Sequence, residues 1–304
     1  MGDILIQAGM LIAVIALGYL LKRTGILPRE AFGIVSKIVL WVTLPSVVIC
    51  NFAKTNMDAA YLWMIVIGFG TMALLAWTGY WINRKKSVDE QVFDMLNLTG
   101  FIIGCFALPY ISGLLGPAAV TAVCMFDAGG GLGSGGGVNA LCASMQENGR
   151  FRPKEMLIKL GKSFLLVVYV VMILLRSFAI PIPSLVVRFC ELCGAGNRFL
   201  AMLMIGLGLS FTIPKNQMRW IGKAILIRYG IAIALGFLFY QFLPFSEDVR
   251  LGAVIAVLAP VASLAPPFTQ ERGGDYELSS GWNTLTIIIS LGLITAVMLL
   301  KAGI

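Results

Sequence analysis

Asp127 is the residue in this chain best placed to do chemistry. It stands inside a long apolar run and is followed by Ala128-Gly129-Gly130-Gly131-Leu132-Gly133-Ser134-Gly135-Gly136-Gly137. A carboxylate at the centre of a bilayer costs about 2.5–3.5 kcal/mol on insertion scales, so it must face protein or water. There it can bind a cation or exchange a proton as its surroundings change. The plainer alternative is a polar side chain hydrogen-bonded to neighbouring helices. Four prolines form the second signal: Pro109 deep in one apolar run, and Pro260, Pro266 and Pro267 in another. Each removes a backbone donor and clashes with the preceding turn, at about 3 kcal/mol in a helix interior. The adjacent pair at 266–267 predicts an interrupted helix. In lipid the freed amides and carbonyls need partners, so a break survives only when buried in protein or lining a wet cavity. The amino end of a half-helix presents free N–H groups and about half a positive charge, which favours an anion. Packing kinks are the competing interpretation of these prolines.

The elements that must position these residues are membrane spans. Of 304 residues, 59% are hydrophobic and 12% charged, with a mean hydropathy of +0.90. Soluble domains have roughly 45–50% apolar and about 25% charged residues. Apolar runs between charged or Gly/Pro-rich breaks predict ten spans, at 4–21, 32–52, 61–82, 92–115, 118–145, 156–178, 185–211, 220–243, 251–269 and 278–300. Each has about the 20 residues that a bilayer core requires. The fold class expected is an all-α polytopic membrane protein. The first span is not read as a cleaved signal, because its basic flank, Lys22-Arg23, follows it rather than precedes it. Loops after odd-numbered spans carry twelve Lys and Arg residues, against six in the termini and the other loops. The odd loops are therefore expected in the cytoplasm and both termini outside. The net charge of +8 follows from this topology and does not call for a nucleic-acid partner.

Composition also removes chemistries. Histidine is absent, which excludes Ser-His hydrolases, His-ligated haem and HExxH metallopeptidases. Among six cysteines only Cys190 and Cys193 form a CxxC, and no second pair completes a metal site. They are expected to be small packing residues, with redox or metal binding as the alternative. No cofactor and no metal are expected.

The halves of the chain resemble each other. Leu20-Leu21-Lys22 with Gly25-Ile26 matches Leu174-Leu175-Arg176 with Ala179-Ile180, 154 residues later. Cys105-Phe106-Ala107-Leu108-Pro109-Tyr110 matches Ser263-Leu264-Ala265-Pro266-Pro267-Phe268, 158 residues later. Five spans per copy is an odd number, so the second copy inserts upside down: repeats 1–149 and 150–304, with spans four and nine broken at their prolines and crossing. Inverted repeats with paired broken helices point to the substrate site of a secondary transporter. The 158-residue offset sets Asp127 opposite Leu285, flanked by Asn283, Thr284 and Thr286. These, with Ser134 and Asn139, are expected to form a polar cluster beside the crossing. Gly129, Gly133 and Gly137 share a helical face on which a neighbouring helix can approach closely; a phosphate loop would need a following GK[ST]. The stretch Thr269-Gln270-Glu271-Arg272-Gly273-Gly274-Asp275-Tyr276-Glu277 is a solvated loop or a gate. The tryptophans, Trp41, Trp63, Trp77, Trp81, Trp220 and Trp282, mostly fall near membrane interfaces.

These motifs resemble the auxin efflux carrier (AEC) family, whose fold is related to PIN-type auxin carriers and to bile acid:sodium symporters. The similarity is carried by Leu17-Gly18-Tyr19, Leu44-Pro45, Phe106-Ala107-Leu108-Pro109, Phe126-Asp127-Ala128-Gly129 and Ile205-Gly206-Leu207-Gly208-Leu209. It continues in Ala259-Pro260, Ala265-Pro266-Pro267-Phe268-Thr269, Gly274-Asp275-Tyr276-Glu277-Leu278 and Asn283-Thr284-Leu285. The resemblance implies ten helices in two inverted five-helix repeats, with helices four and nine crossing near mid-membrane. It further implies a scaffold of helices 1, 2, 6 and 7, a moving unit of helices 3–5 and 8–10, and a homodimer through the scaffold. Family substrates are small organic anions, auxin-like or dicarboxylate.

The leading expectation is a secondary transporter for a small carboxylate, working as an elevator with proton or sodium coupling. Its substrate would lie near Pro109, Pro266 and Pro267, with Thr99, Ser263, Thr269 and Asn283 as hydrogen-bond donors. Asp127 would couple a cation, supported by Ser134, Asn139, Thr284 and Thr286. A receptor on a transporter fold is the second possibility. An intramembrane aspartyl protease is the third, and would need Asp127 and Asp275 to face each other.

Overall fold

The computed structural model describes residues 2–28, 30–55, 59–146, 164–178, 180–211, 213–214 and 217–303. Every regular element among them is a helix. α1 is Gly2–Arg23, α2 Ala31–Lys54 and α3 Leu62–Ile82. The expected fourth span is two pieces, α4 (Val88–Leu98) and α5 (Leu108–Leu114). The fifth is α6 (Pro117–Gly131) continued through wide π turns at Leu132–Val138 into α7 (Asn139–Gln146). Of the sixth, α8 (Phe164–Ser177) is described and residues 156–163 lie outside the described ones. The seventh divides at Gly196 into α9 (Ser184–Ala195) and α10 (Asn197–Gly208). α11 is Met218–Phe242. The ninth is again two pieces, α12 (Glu247–Val257) and α13 (Ala265–Glu271), and α14 is Tyr276–Gly303. Among the described residues, seven helical stretches are long and apolar enough to cross a membrane.

Local chemistry accounts for several boundaries. Ser87 and Glu90 form a capping box that starts α4, each satisfying a backbone donor that the helix leaves unpaired. Pro117 opens α6 in its first turn, where a missing N–H costs nothing. Pro45 and Pro109 lie within apolar spans, and each follows directly on a stretch of π turns, at Val39–Thr43 and Ile103–Ala107. A wide turn absorbs the carbonyl that the proline ring would otherwise strike.

Small residues set the closest packing. A Cβ on Gly206 of α10 would stand 2.0 Å from Ile15 O of α1, and one on Gly18 of α1 would stand 2.4 Å from Leu203 O. α3 and α6 touch in the same way: Gly68 against Phe126 O, Gly129 against Ile65 O and Gly133 against the Met72 side chain. Gly137, the third member of the expected face, has only Leu132 O of its own segment nearby. The glycine face is thus a seat for α3 over two of its three positions. The interior is headed by Trp282, Tyr110, Phe52, Phe106 and Phe126, all fully buried. Leu185, Leu192, Leu226, Phe237 and Phe242 point outward and are largely exposed, the outer surface that a bilayer covers. Trp41, Trp63, Trp77 and Trp81 are exposed as well, whereas Trp282 is in the core, packed against Phe93 and Trp220.

The two broken spans match in dimension. α4 and α12 are each 11 residues long, and α5 and α13 are each 7. α12 packs against both α6 and α11, and residues 91–111 are buried without exception. The broken segments are therefore the centre of the molecule.

Candidate functional site

The first interruption is Thr99–Ile102, and no proline takes part in it. α4 ends where the Thr99 hydroxyl turns back to donate to Met95 O, and Gly100 follows at φ +89°, a conformation that side chains with a Cβ resist. Pro109 stands ten residues after Thr99, in the first turn of α5. The prolines of the second broken span divide in the same way. Pro260 lies within the break at 258–264, and Pro266 and Pro267 open α13. The expectation that the helices break at Pro109 and Pro266–Pro267 is thus corrected: these prolines start the second half-helices, where a ring needs no donor, and the chain parts earlier.

The two breaks touch. Ile102 N donates to Pro260 O at 2.9 Å, so a backbone group freed by one break is satisfied by the other. Three side chains of α14 supply most of the remaining partners in the second break. Thr286 Oγ1 accepts from Val261 N at 3.2 Å and donates to Asn283 O at 2.8 Å. Asn283 Nδ2 donates to Val261 O at 2.7 Å and to Ala262 O at 3.3 Å. Ser290 Oγ donates to Leu258 O at 2.6 Å. Residues 283, 286 and 290 recur at helical spacing, so one face of α14 lies along the broken chain. Tyr229 of α11 joins them, its hydroxyl donating to Thr286 O at 2.7 Å and lying 2.7 Å from Ser290 Oγ.

At the carboxyl ends of the first half-helices lies Arg228 of α11, 1% exposed. Its Nη1 donates to Leu98 O, and its Nη2 to Gly100 O at 2.8 Å and to Ala259 O at 3.2 Å. The guanidinium carbon is 4.7 Å from the centroid of the Phe101 ring, within cation–π range. Nothing in the motif pattern singled this residue out. Its signal was available in composition alone, as an arginine within the apolar stretch Ala224-Ile225-Leu226-Ile227-Arg228-Tyr229, where an ionisable group is by default functional.

The remaining expected residues separate into groups. Thr269, 1% exposed, joins Asn97 and Ser279 in a closed ring. Asn97 Nδ2 donates to Thr269 Oγ1 at 3.0 Å, Thr269 Oγ1 to Ser279 Oγ at 3.4 Å, and Ser279 Oγ to Asn97 Oδ1. This ring ties α4, α13 and α14 together. Asp127 is elsewhere, accepting from Tyr169 OH of α8 at 2.7 Å. Thr284 accepts from Ser210 N at 2.9 Å and donates to Ser280 O at 3.0 Å. The polar residues of α14 expected to gather around Asp127 thus bond the broken chain or the end of α10 instead. Asn139 is 2% exposed, and its Oδ1 has no hydrogen-bond partner among the described residues; the side chain of Ser134 lies outside the described ones. Ser263 and Pro267 are exposed. A second buried carboxylate, Asp94 of α4, also escaped the motif pattern; Asn83 Nδ2 donates to its Oδ2 at 2.6 Å.

A small cavity lies where the breaks meet the fifth span, lined by Leu96, Thr99, Val138, Ala262, Leu264, Ala265 and Phe268, with a volume of about 10 Å³. That is close to the minimum for one water molecule. The amino end of α13 beside it is not a row of bare amides. Pro266 and Pro267 have no N–H, Ala265 N donates to Ala262 O at 3.0 Å, and Phe268 N to Leu264 O at 3.1 Å. The turn Ala262–Leu264 is what this end offers an anion.

Two chemical alternatives meet the geometry here. Asp275 Oδ1 accepts from Leu278 N at 3.0 Å, capping α14, and is exposed, whereas Asp127 is bonded to α8. Among the described residues, no group of three or more Cys, Asp or Glu side chains is placed to hold a metal ion. Compared with known families, residues 4–146 match the family model described as membrane transport protein, a stretch that contains the first break and ends before the second. No curated protein matches the chain.

Proposed function

We propose that this chain, whose residues 4–146 match the family model described as membrane transport protein, is a member of that family and a secondary transporter for a small organic anion of the carboxylate class. The observation that carries the proposal is the contact of two interrupted helices through Ile102 N and Pro260 O, with a buried guanidinium beside them. Broken helices at corresponding places in two halves are the strongest pointer to a transport site that sequence and fold offer. The equal lengths of α4 and α12, and of α5 and α13, support two inverted five-helix repeats, 1–149 and 150–304, in a ten-helix fold.

In this mechanism the substrate carboxylate enters beside Thr99 and the turn Ala262–Leu264. A cavity of about 10 Å³ there holds about one water, so a carboxylate fits only after α13 or the fifth span shifts. Closure around the site is what alternating access requires, and the fold accommodates it by an elevator movement. Helices of spans 3–5 and 8–10 carry the site past a scaffold of spans 1, 2, 6 and 7, through which two copies pair. Asp127 couples a proton or sodium ion, and both termini face outward.

The test is uptake into liposomes holding the purified protein, across a panel of radiolabelled mono- and dicarboxylates. Saturable uptake of at least one, competed by the unlabelled compound, is expected. No saturable uptake by any member of the panel would sink the proposal. Saturable binding without counterflow would assign a receptor instead.

A further inference from the structure

We infer that Arg228 is a resident cation: its guanidinium occupies, at the helix crossing, the place that a free sodium ion would otherwise take. In transporters with broken helices, unwound carbonyls and the carboxyl ends of half-helices are the groups that coordinate a driving cation. Here those groups are Leu98 O at the last residue of α4, Gly100 O in the first break, and Ala259 O just past α12. All three accept from the one guanidinium. Each half-helix end carries about half a negative charge, so two converging ends call for about one positive charge, which a single arginine supplies. A guanidinium suits the position better than an ammonium. It is a rigid fork that keeps its charge under all physiological conditions and reaches both broken segments at once. Its stem enters from α11, a third element, so the charge moves with the protein and is not exchanged with solvent.

The consequence is a division of labour at the crossing. The carboxyl-terminal side is neutralised permanently from within, and the side beyond the breaks is left for the substrate's negative charge. A coupling cation, where one is used, must act elsewhere. The inference rests on the transport proposal only in treating the crossing as the place where ions are handled.

The experiment is the thermal unfolding of the detergent-purified full chain without substrate, in NaCl, KCl or choline chloride at equal ionic strength. For Asp127→Asn, from which the other proposed cation site is removed, the midpoint is expected to be the same in all three salts. Arg228→Ala is expected to unfold several degrees below the wild type in choline and to regain much of that loss in low-millimolar guanidinium or methylguanidinium. Two further variants separate charge from volume: Arg228→Lys should retain more stability than Arg228→Met, which has a similar stem and no charge. A saturable sodium-dependent rise in the midpoint that persists in Asp127→Asn, which lacks the other proposed cation site, would overturn the inference, as would Arg228→Ala matching the wild type. Equal losses in Arg228→Lys and Arg228→Met, including failure of both to fold, would overturn it too. Because none of these measurements contains a carboxylate, an absence of uptake would sink the transport proposal and leave this one standing. Sodium stabilisation that persists in Asp127→Asn, with intact wild-type uptake, would do the reverse.

Discussion

At the first interruption the chain turns on Gly100 at φ +89°, within residues 91–111 that are buried throughout. The second, 258–264, contains no glycine, its end residues Leu258 and Leu264 have φ −83° and −82°, and Ser263, Leu264 and Pro267 are exposed. The helices on either side have the same lengths, yet the breaks are held differently. Arg228 of α11 bonds both, through Gly100 O and Ala259 O, but the first depends besides on a backbone conformation that glycine alone adopts cheaply. The second depends on the hydroxyls and amide of α14, through Thr286, Asn283 and Ser290. One break is therefore a fixed internal joint, and the other is an edge pinned by side chains. Among the described residues, the crossing reaches the outside of the protein at this edge, which on the transport proposal is where a substrate would enter.

The sharpest way to break this comparison is to replace the residue that shapes each turn. Gly100→Val places a β-branched residue at positive φ inside the core and should cost about 2–3 kcal/mol of stability. Pro260→Ala keeps the carbonyl that accepts from Ile102 and should change stability by no more than about 1 kcal/mol. Unfolding of both variants by denaturant in detergent reads the difference. Similar losses would mean that the two joints share one construction.

A smaller effect is expected where hydroxyls hold the second break. Thr286→Val preserves shape and leaves the buried Val261 N–H without its acceptor, which should cost about 1–2 kcal/mol. Ser290→Ala removes the donor to Leu258 O and should cost about 1 kcal/mol. Hydrogen exchange would localise the change: protection should fall at 258–264 and hold at 99–102. Loss of protection at both breaks would show them to be one cooperative unit.

How much of this was legible in the sequence follows from what each residue does. The broken ninth span could be read from Pro260, Pro266 and Pro267, because a missing donor is a property of the residue itself. The broken fourth span could be read only through its offset from the ninth. Its turn is made by Gly100, and nothing in Leu98-Thr99-Gly100-Phe101 marks that glycine's φ. Pro109 therefore seemed to mark the break, while it marks the start of the next helix. The close seat of α3 on Gly129 and Gly133 was legible, since absent side chains are visible in sequence. The partners of Asp127 were not. An offset between repeats places residues along the chain but not around a helix, and so it brought forward Thr284 and Thr286 where the structure has Tyr169. Arg228 carried the plainest signal of all, a full charge among aliphatics, and was obscured by its many neutral neighbours with motif-like spacing.

The smallest effect on stability, and the most informative for function, is expected from Asp127→Asn. An amide oxygen at that position still accepts from Tyr169 OH, so the contact between α6 and α8 persists and stability should change by less than about 0.5 kcal/mol. What disappears is the negative charge. If Asp127 couples a cation while Arg228 neutralises the crossing, uptake by Asp127→Asn should lose its dependence on pH and on sodium while the unfolding midpoint stays at the wild-type value. Tyr169→Phe gives the complementary case: the charge stays and its hydroxyl partner goes, so the cation dependence should persist with a shifted profile. Proteoliposome uptake across pH, with sodium exchanged for choline, measures both variants. Unchanged cation dependence in Asp127→Asn would reduce that carboxylate to a packing contact between α6 and α8, and would leave Arg228 as the charge of the crossing that acts on the substrate.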